Sequence, residues 1–184
     1  RRGGTVGFPL PGTEVRVVDD SDRPLPAGEI GHIQVRGENV FAGYWRMPEK
    51  TREEFTPEGY FRTGDLGRFD ADGYLAIIGR DKDLIITGGL NVYPKEIEEA
   101  IDALPGVAES AVIGLPHSDF GEAVTAVVVR GKASATTSGE AIIAELKGRL
   151  AGFKVPKAVL FVDELPRNAM GKVQKNLLRQ RFSA

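Results

Sequence analysis

The sequence contains no cysteine, which excludes disulfide bridges, thiolate metal sites and a cysteine nucleophile. It also lacks any apolar run near the roughly 18 residues that a membrane-spanning helix needs. Basic residues are not in excess, since 24 Lys and Arg stand against 26 Asp and Glu. Without a broad positive field for nucleic acid, any anion site must be local. These absences predict a cytoplasmic protein with no membrane span and no nucleic-acid partner.

The 184 residues, 41% of them hydrophobic, suffice for one sizeable core or two small ones. The first residue is Arg1 and not Met, so we expect a fragment, or one end, of a longer protein. The pattern changes near residue 80, from short strands and turns to strands that alternate with helices. The sequence therefore predicts an α+β fold with a β-rich part, residues 1–81, and an α/β part, residues 82–184.

In the first part, period-two alternation and turn chemistry predict antiparallel strands over residues 14–18, 31–36 and 74–78. The segment 70–73, Asp-Ala-Asp-Gly, predicts the turn before the last of these strands.

In the second part, a helix is predicted to begin at Pro94 and to stop before Pro105. Its apolar residues recur at i, i+3, i+4 and i+7, namely Ile97, Ala100, Ile101 and Leu104. Thr137 and Glu140 form a candidate capping box for a further helix. Strands are expected over residues 111–115, 123–129 and 159–162. A short C-terminal helix carries three basic residues, for which a solvated face is expected: Lys175, Arg179 and Arg181.

The segment Thr63-Gly64-Asp65 is a candidate ligand site. A carboxylate that follows a small hydroxyl residue and a glycine can approach a ligand closely and accept hydrogen bonds from two adjacent hydroxyls, as a ribose offers. The alternative is an aspartate that bonds its own backbone in a turn. Arg80 could reach the same sugar or its phosphate, although Asp81 and Asp83 are rival partners.

A basic loop over residues 166–173 contains Lys172. It is not a Walker loop, because Pro166 and Val173 occupy the positions that need glycine and Ser or Thr. Gly171 lets the backbone approach a ligand, and the ammonium acts as a point charge. Taken alone, such a loop is most simply a solvated surface feature.

Taken in order, four segments resemble the C-terminal portion of the adenylate-forming superfamily, which includes acyl-CoA synthetases, peptide-synthetase adenylation domains and luciferases. The segments are Thr63-Gly64-Asp65, Gly79-Arg80, Gly88-Gly89 with Glu96-Ile97-Glu98, and the loop 166–172. Within the superfamily, residues 88–98 and 166–175 are most similar to malonyl-CoA synthetases.

The resemblance implies an antiparallel, β-barrel-like end of a large N-terminal domain, followed by a small, mobile α/β lid domain. It implies that a carboxylic acid, such as malonate or another short acid, is activated with ATP and transferred to CoA. Mg²⁺ would arrive with ATP, and no metal ligands are predicted in this chain. By the same resemblance, Thr63, Asp65 and Arg80 would bind ATP or AMP, Lys172 would be catalytic, Lys82 would be the hinge, and Gly88 and Gly89 would border the CoA channel.

Two alternatives stay open. The chain could belong to an adenylation domain that loads a carrier-protein thiol, or it could be a non-catalytic binding or regulatory module of the same fold. The family's phosphate loop and acyl pocket would lie upstream, in the missing N-terminal domain, so we expect the fragment alone to be inactive.

Overall fold

The computed structural model describes residues 2–131 and 138–183. The chain divides into two compact units, Arg1–Lys82 and Asp83–Ala184. Over the described residues it forms nine β-strands and four α-helices, which confirms the α+β class. The boundary expected between residues 81 and 82 lies one residue before this division.

The first unit is built on a four-stranded antiparallel sheet in the order β1-β2-β3-β4. The strands are β1 Thr13–Val18, β2 Gly31–Gly37, β3 Phe61–Phe69 and β4 Leu75–Arg80. Alternating apolar side chains cover one face, where Val17, Ile33 and Leu75 form the core. The three predicted strands are confirmed. Within the described residues the sheet does not close into the barrel-like form that we expected, because β1 and β4 are its two edge strands and do not pair with each other.

Strand β3 and the helix α1, Pro48–Glu54, are additions to the predicted elements. Gly64 and Gly67 interrupt the alternation of β3, and the register shifts twice along it. Helix α1 begins at a proline and buries none of its residues, so no apolar stripe marks it in the sequence.

The second unit contains a five-stranded sheet in the order β6-β5-β8-β7, with β9 paired in parallel to β8. Its strands are β5 Ile85–Thr87, β6 Leu90–Val92, β7 Val107–His117, β8 Gly121–Arg130 and β9 Ala158–Val162. The long β7–β8 hairpin forms its centre. Because successive side chains of a strand point to opposite faces, Val112 packs into one cluster with Ile97, and Ala111 packs into another with Leu178.

Three helices cover the two faces of this sheet: α2 Pro94–Asp102, α3 Gly139–Lys147 and α4 Lys175–Phe182. Helices α2 and α3 contribute Ile97 and Leu146 to the larger cluster, whereas α4 contributes Leu178 to the smaller one. The predicted helix at Pro94 is confirmed. None of the described helices is long and apolar enough to cross a bilayer.

The cap of α3 corrects the predicted capping box. Thr137 lies outside the described residues, and the capping side chain is Ser138, which accepts a hydrogen bond from the Ala141 N–H at 3.1 Å. Ser138 has the hydroxyl that an N-cap requires and is the residue directly before the first helical turn.

Candidate functional site

Asp65 and Arg80 meet across the antiparallel pair β3–β4 in the first unit. The Arg80 Nε lies 3.0 Å from the Asp65 Oδ1. Arg80 also donates from Nη1 to the Thr63 carbonyl at 2.8 Å. The sequence left Asp81 and Asp83 as rival partners of Arg80, and the structure places Asp65 there instead.

The segment that carries Asp65 is a bulge on β3. Arg62 pairs with Gln34 and Leu66 pairs with His32, so three residues of β3 stand opposite Ile33. Gly64 has φ 71°, a left-handed conformation that glycine adopts without strain. Asp65 is therefore part of strand β3. It does not lie in a turn in which its carboxylate accepts a hydrogen bond from its own backbone.

The Thr63 hydroxyl shapes this bulge. It donates to the Ile33 carbonyl at 2.9 Å and accepts from the Asp65 N–H at 3.1 Å. Both hydrogen bonds are made within the sheet, so the Thr63 hydroxyl fixes the backbone position of Asp65. The Asp65 side chain is 23% exposed. Among the described residues, no donor forms a hydrogen bond with its Oδ2. A carboxylate with one oxygen paired and one open can accept a ligand hydroxyl.

An acidic cavity of about 460 Å³ borders the bulge at Gly64. Six carboxylates line it together with Arg62 and His32: Asp19, Asp20, Asp22, Glu53, Glu54 and Asp81. Arg62 binds both oxygens of Asp22, at 2.5 and 2.6 Å. This pairing lowers the pKa of Asp22 and raises that of Arg62. The sequence did not single out the pair, because its two members lie 40 residues apart.

In the second unit, Gly88 and Gly89 form the two-residue turn of the β5–β6 hairpin, since Thr87 pairs with Leu90. Their φ values are 56° and 78°. Two positive φ angles define a type I′ turn, which suits glycine at both positions. A Cβ atom added at Gly89 would meet no heavy atom within 4 Å. A Cβ atom added at Gly88 would meet the Phe120 ring at 3.9 Å, so the turn is bare at Gly89 only.

Lys172 lies on a small hairpin that the bridge Arg167–Val173 closes. Its own carbonyl accepts from the Asn168 N–H, and the Gly171 N–H donates to the Asn168 carbonyl, each at 2.9 Å. The side chain is exposed. Among the described residues no carboxylate lies within ion-pair distance of the Lys172 ammonium. The cation is therefore held on an ordered backbone and is open to an anion.

Lys82 lies in a short 3-10 turn, Asp81–Asp83, at the division between the two units. No cluster of His, Asp or Glu that could hold a metal ion occurs in the described ranges.

Two family models match the chain. Residues 96–172 match the AMP-binding enzyme C-terminal domain, and residues 1–45 match the AMP-binding enzyme family. The chain belongs to the AMP-binding enzymes. Both units of this AMP-binding chain therefore carry part of the match, and the match over residues 96–172 contains the loop 166–172.

Among curated relatives of this AMP-binding chain, a feruloyl-CoA synthase of Amycolatopsis sp is 45% identical over 97% of the chain. A long-chain-fatty-acid CoA ligase of Escherichia coli is 42% identical over 96%. The chain spans 36% and 31% of their lengths. The ATP-bound crystal structure of MatB from Rhodopseudomonas palustris shares 61% identity and a TM-score of 0.92, covering 98% of this chain and 36% of its own.

The sequence indicated six candidate ligand contacts, but not the ion pairs that anchor their segments. The six are Thr63, Asp65, Arg80, Gly88, Gly89 and Lys172. Lys175, expected on a solvated face, is only 15% exposed and lies 2.6 Å from Glu98. Arg179 pairs with Asp83 at 3.2 Å. Local charge patterns could not find these pairs, because both partners are distant in the sequence.

Proposed function

We propose that this chain acts as part of an AMP-forming acyl-CoA synthetase. In the first half-reaction a carboxylate oxygen attacks the α-phosphorus of ATP, and pyrophosphate leaves. In the second, the CoA thiol attacks the acyl carbon, and AMP leaves. The observation that carries this proposal is the family match, which covers residues 1–45 and 96–172 and so includes the loop that contains Lys172.

For the first half-reaction, we assign the ribose contact to Asp65. Arg80 holds its carboxylate, and Thr63 holds its backbone N–H. The open Oδ2 supports this role because adjacent ribose hydroxyls are hydrogen-bond donors. Lys172 is assigned to the substrate carboxylate and the α-phosphate. A single ammonium between two anions offsets their repulsion, and it stabilises the charge that grows on the phosphorus oxygens in the transition state. Mg²⁺ would enter with the ATP phosphates.

For the second half-reaction, we assign Gly88 and Gly89 to the border of the CoA channel. The open space beside Gly89 supports this role, because a thiol arm needs a path without side chains. Lys82 is assigned as the hinge that lets the second unit serve each half-reaction in turn. Its place at the division between the units supports that assignment.

The acid is proposed to be short, with malonate as the first candidate, on the basis of residues 88–98 and 166–175. The relatives named above act, by their names, on feruloyl and long-chain fatty acids, so the family match alone does not choose the acid. A cytoplasmic location stays a prediction from the cysteine-free composition.

The test uses the whole protein with a panel of short monocarboxylic and dicarboxylic acids, malonate included. Acid-dependent exchange of pyrophosphate into ATP measures the first half-reaction, and formation of the CoA thioester measures the second. We expect both activities with at least one acid. Exchange without CoA transfer would instead favour the adenylation domain of a carrier-protein system. The absence of exchange with every acid would favour the non-catalytic module.

A further inference from the structure

The peptide group between Gly171 and Lys172 is fixed at both of its polar atoms by side chains. The Gly171 carbonyl accepts from the Arg167 Nη1 at 2.7 Å. The Lys172 N–H donates to the Asn168 Oδ1 at 2.9 Å. Rotation of this peptide would break both contacts, so the direction in which the Lys172 side chain leaves the backbone is set by two neighbouring residues.

Arg167 is itself anchored to a core strand. Its Nη2 binds the Oε2 of Glu109, which lies on β7. One guanidinium therefore joins the hairpin to the central β7–β8 pair. A guanidinium can bind two acceptors in fixed directions, whereas a lysine ammonium is a single, freely rotating donor group. The contact to a turn carbonyl and the ion pair with Glu109 together define the place of the hairpin on the sheet.

The other end of the hairpin is held by a second ion pair. Lys175, the first residue of α4, lies 2.6 Å from Glu98 of α2, whose Oε1 also accepts from the Val112 N–H of β7 at 2.8 Å. The exposed Lys172 thus lies between Arg167 and Lys175, and the ion pairs of both residues connect this segment to β7.

We propose that Arg167 is a positioning residue for Lys172. Through its contacts with the Gly171 carbonyl and with Glu109, Arg167 orients the ammonium of Lys172. This inference rests on the proposed function of Lys172. It assigns to Arg167 no contact with the substrate. Displacement of a reacting group by about 1 Å can cost on the order of 100-fold in rate, so a loosened hairpin should slow adenylation without preventing ATP from binding.

The activity test compares Arg167→Ala with Arg149→Ala in the whole protein. Arg149 is a matched control, because its side chain is 48% exposed and pairs with Glu145 at 3.3 Å, whereas that of Arg167 is 43% exposed. We expect Arg167→Ala to lower kcat for pyrophosphate exchange by about tenfold or more, with KM for ATP unchanged. Thioester formation from preformed acyl-adenylate should equal that of Arg149→Ala. Arg167→Lys should restore only part of the lost exchange, since it cannot reproduce both contacts.

A second measurement does not depend on activity. Hydrogen exchange of the peptide over residues 166–174 should be faster in Arg167→Ala than in Arg149→Ala, while exchange in β7 and β8 stays the same. In a Lys172→Ala background, Arg167→Ala should have no further effect on adenylation, because a positioning residue acts only through the group that it positions.

The outcomes separate the two proposals. If Lys172→Ala leaves adenylation intact, the proposed function of Lys172 is wrong, whatever Arg167→Ala does. If Lys172→Ala abolishes adenylation but Arg167→Ala behaves like Arg149→Ala in rate and in hydrogen exchange, the positioning role is wrong. Equal losses in both half-reactions for Arg167→Ala would also overturn it, because that result indicates general damage to the unit.

Discussion

Asp65 and Arg80 are cross-strand partners whose side chains form an ion pair at 3.0 Å. Arg80 also bonds the carbonyl of Thr63, so it fastens the carboxylate and the bulge together. This arrangement holds Asp65 at a defined angle before any ligand arrives. A preformed acceptor of this kind costs little reorganisation when a sugar binds.

Asp65→Ala should weaken ATP binding. Hydrogen bonds to a charged acceptor contribute about 1.5 to 3 kcal/mol each, so KM for ATP in pyrophosphate exchange should rise by about tenfold or more. The reason is that the ribose hydroxyls lose their acceptor. The wild-type protein should also discriminate against 2′-deoxy-ATP, and the variant should not.

Asp72→Ala is the matched control for this change, since Asp72 is an exposed aspartate in the same unit that pairs with Arg2. It should leave KM for ATP unchanged. Unchanged discrimination between ATP and 2′-deoxy-ATP in Asp65→Ala would contradict the ribose role, even if KM rose.

Lys172→Ala should affect the two half-reactions unequally. Loss of the ammonium should cost about 3 kcal/mol or more in the adenylation transition state, because two anions then meet without a cation between them. Thioester formation from preformed acyl-adenylate should fall much less. Single-turnover assays of each half-reaction on the whole protein measure the difference. Lys147→Ala, which removes another exposed lysine of the same unit, should change neither rate, and equal losses in Lys172→Ala would refute the assigned role.

Substitutions at Gly89 should impair the second half-reaction. Its φ of 78° makes any L-residue cost roughly 1–2 kcal/mol of backbone strain, and a side chain would enter the proposed channel. Gly89→Ala and Gly89→Leu share the strain but differ in bulk, so the ratio of their thioester-forming rates isolates the steric effect. We expect Leu to be slower, with adenylation equal in the two variants.

Gly152→Ala serves as the control for the Gly89 series. A Cβ atom at Gly152 would also meet no heavy atom within 4 Å, but its φ is not positive. Normal thioester formation is expected for it. A Leu variant at position 89 that transfers to CoA as fast as the Ala variant would exclude the channel assignment.

The Asp22–Arg62 pair should make the stability of the first unit depend on pH. Arg62 lowers the pKa of Asp22, so the ionised carboxylate stabilises the fold above its unfolded-state pKa, about 3.9. That stabilisation is lost as the pH falls through the folded-state pKa below this value. It amounts to about 1 kcal/mol or less, because both side chains are partly exposed and screened by solvent.

Asp22→Asn tests this dependence without changing the backbone, because asparagine tolerates the left-handed φ of 61° at this position. Hydrogen exchange of peptides from β2 should show that the variant is less stable than wild type near pH 7. The difference should shrink below about pH 4. Glu38→Gln, at an exposed position, should behave like wild type. A constant difference at all pH values would contradict the ionic origin.

The sequence predicted strands and helices well where one periodicity governs a segment. The helix from Pro94 follows this rule, since Ile97 and Ile101 repeat at helical spacing and both are fully buried. Strand β3 does not, because Gly64 and Gly67 erase its alternation. This irregularity coincides with the proposed ribose site, because the bulge carries Asp65.

For the candidate site, the sequence indicated the residues with ligand chemistry and missed those that support them. Asp65 and Lys172 were recognisable because each lies in a short segment with a neighbouring glycine. The roles of Glu109, Glu98 and Asp22 depend on partners that are 40 or more residues away. Only a fold brings such pairs together, so no local pattern could predict them.

The hydrogen bonds that orient the Gly171–Lys172 peptide all come from residues 167 and 168, and the anchor beneath them comes from β7 of the same unit. The ordering of this segment therefore takes place once, when the unit folds. Under the role proposed for Lys172, it is not repeated at each turnover. The entropy of fixing the lysine's backbone is then part of the folding free energy, and it does not add to the activation barrier of each turnover.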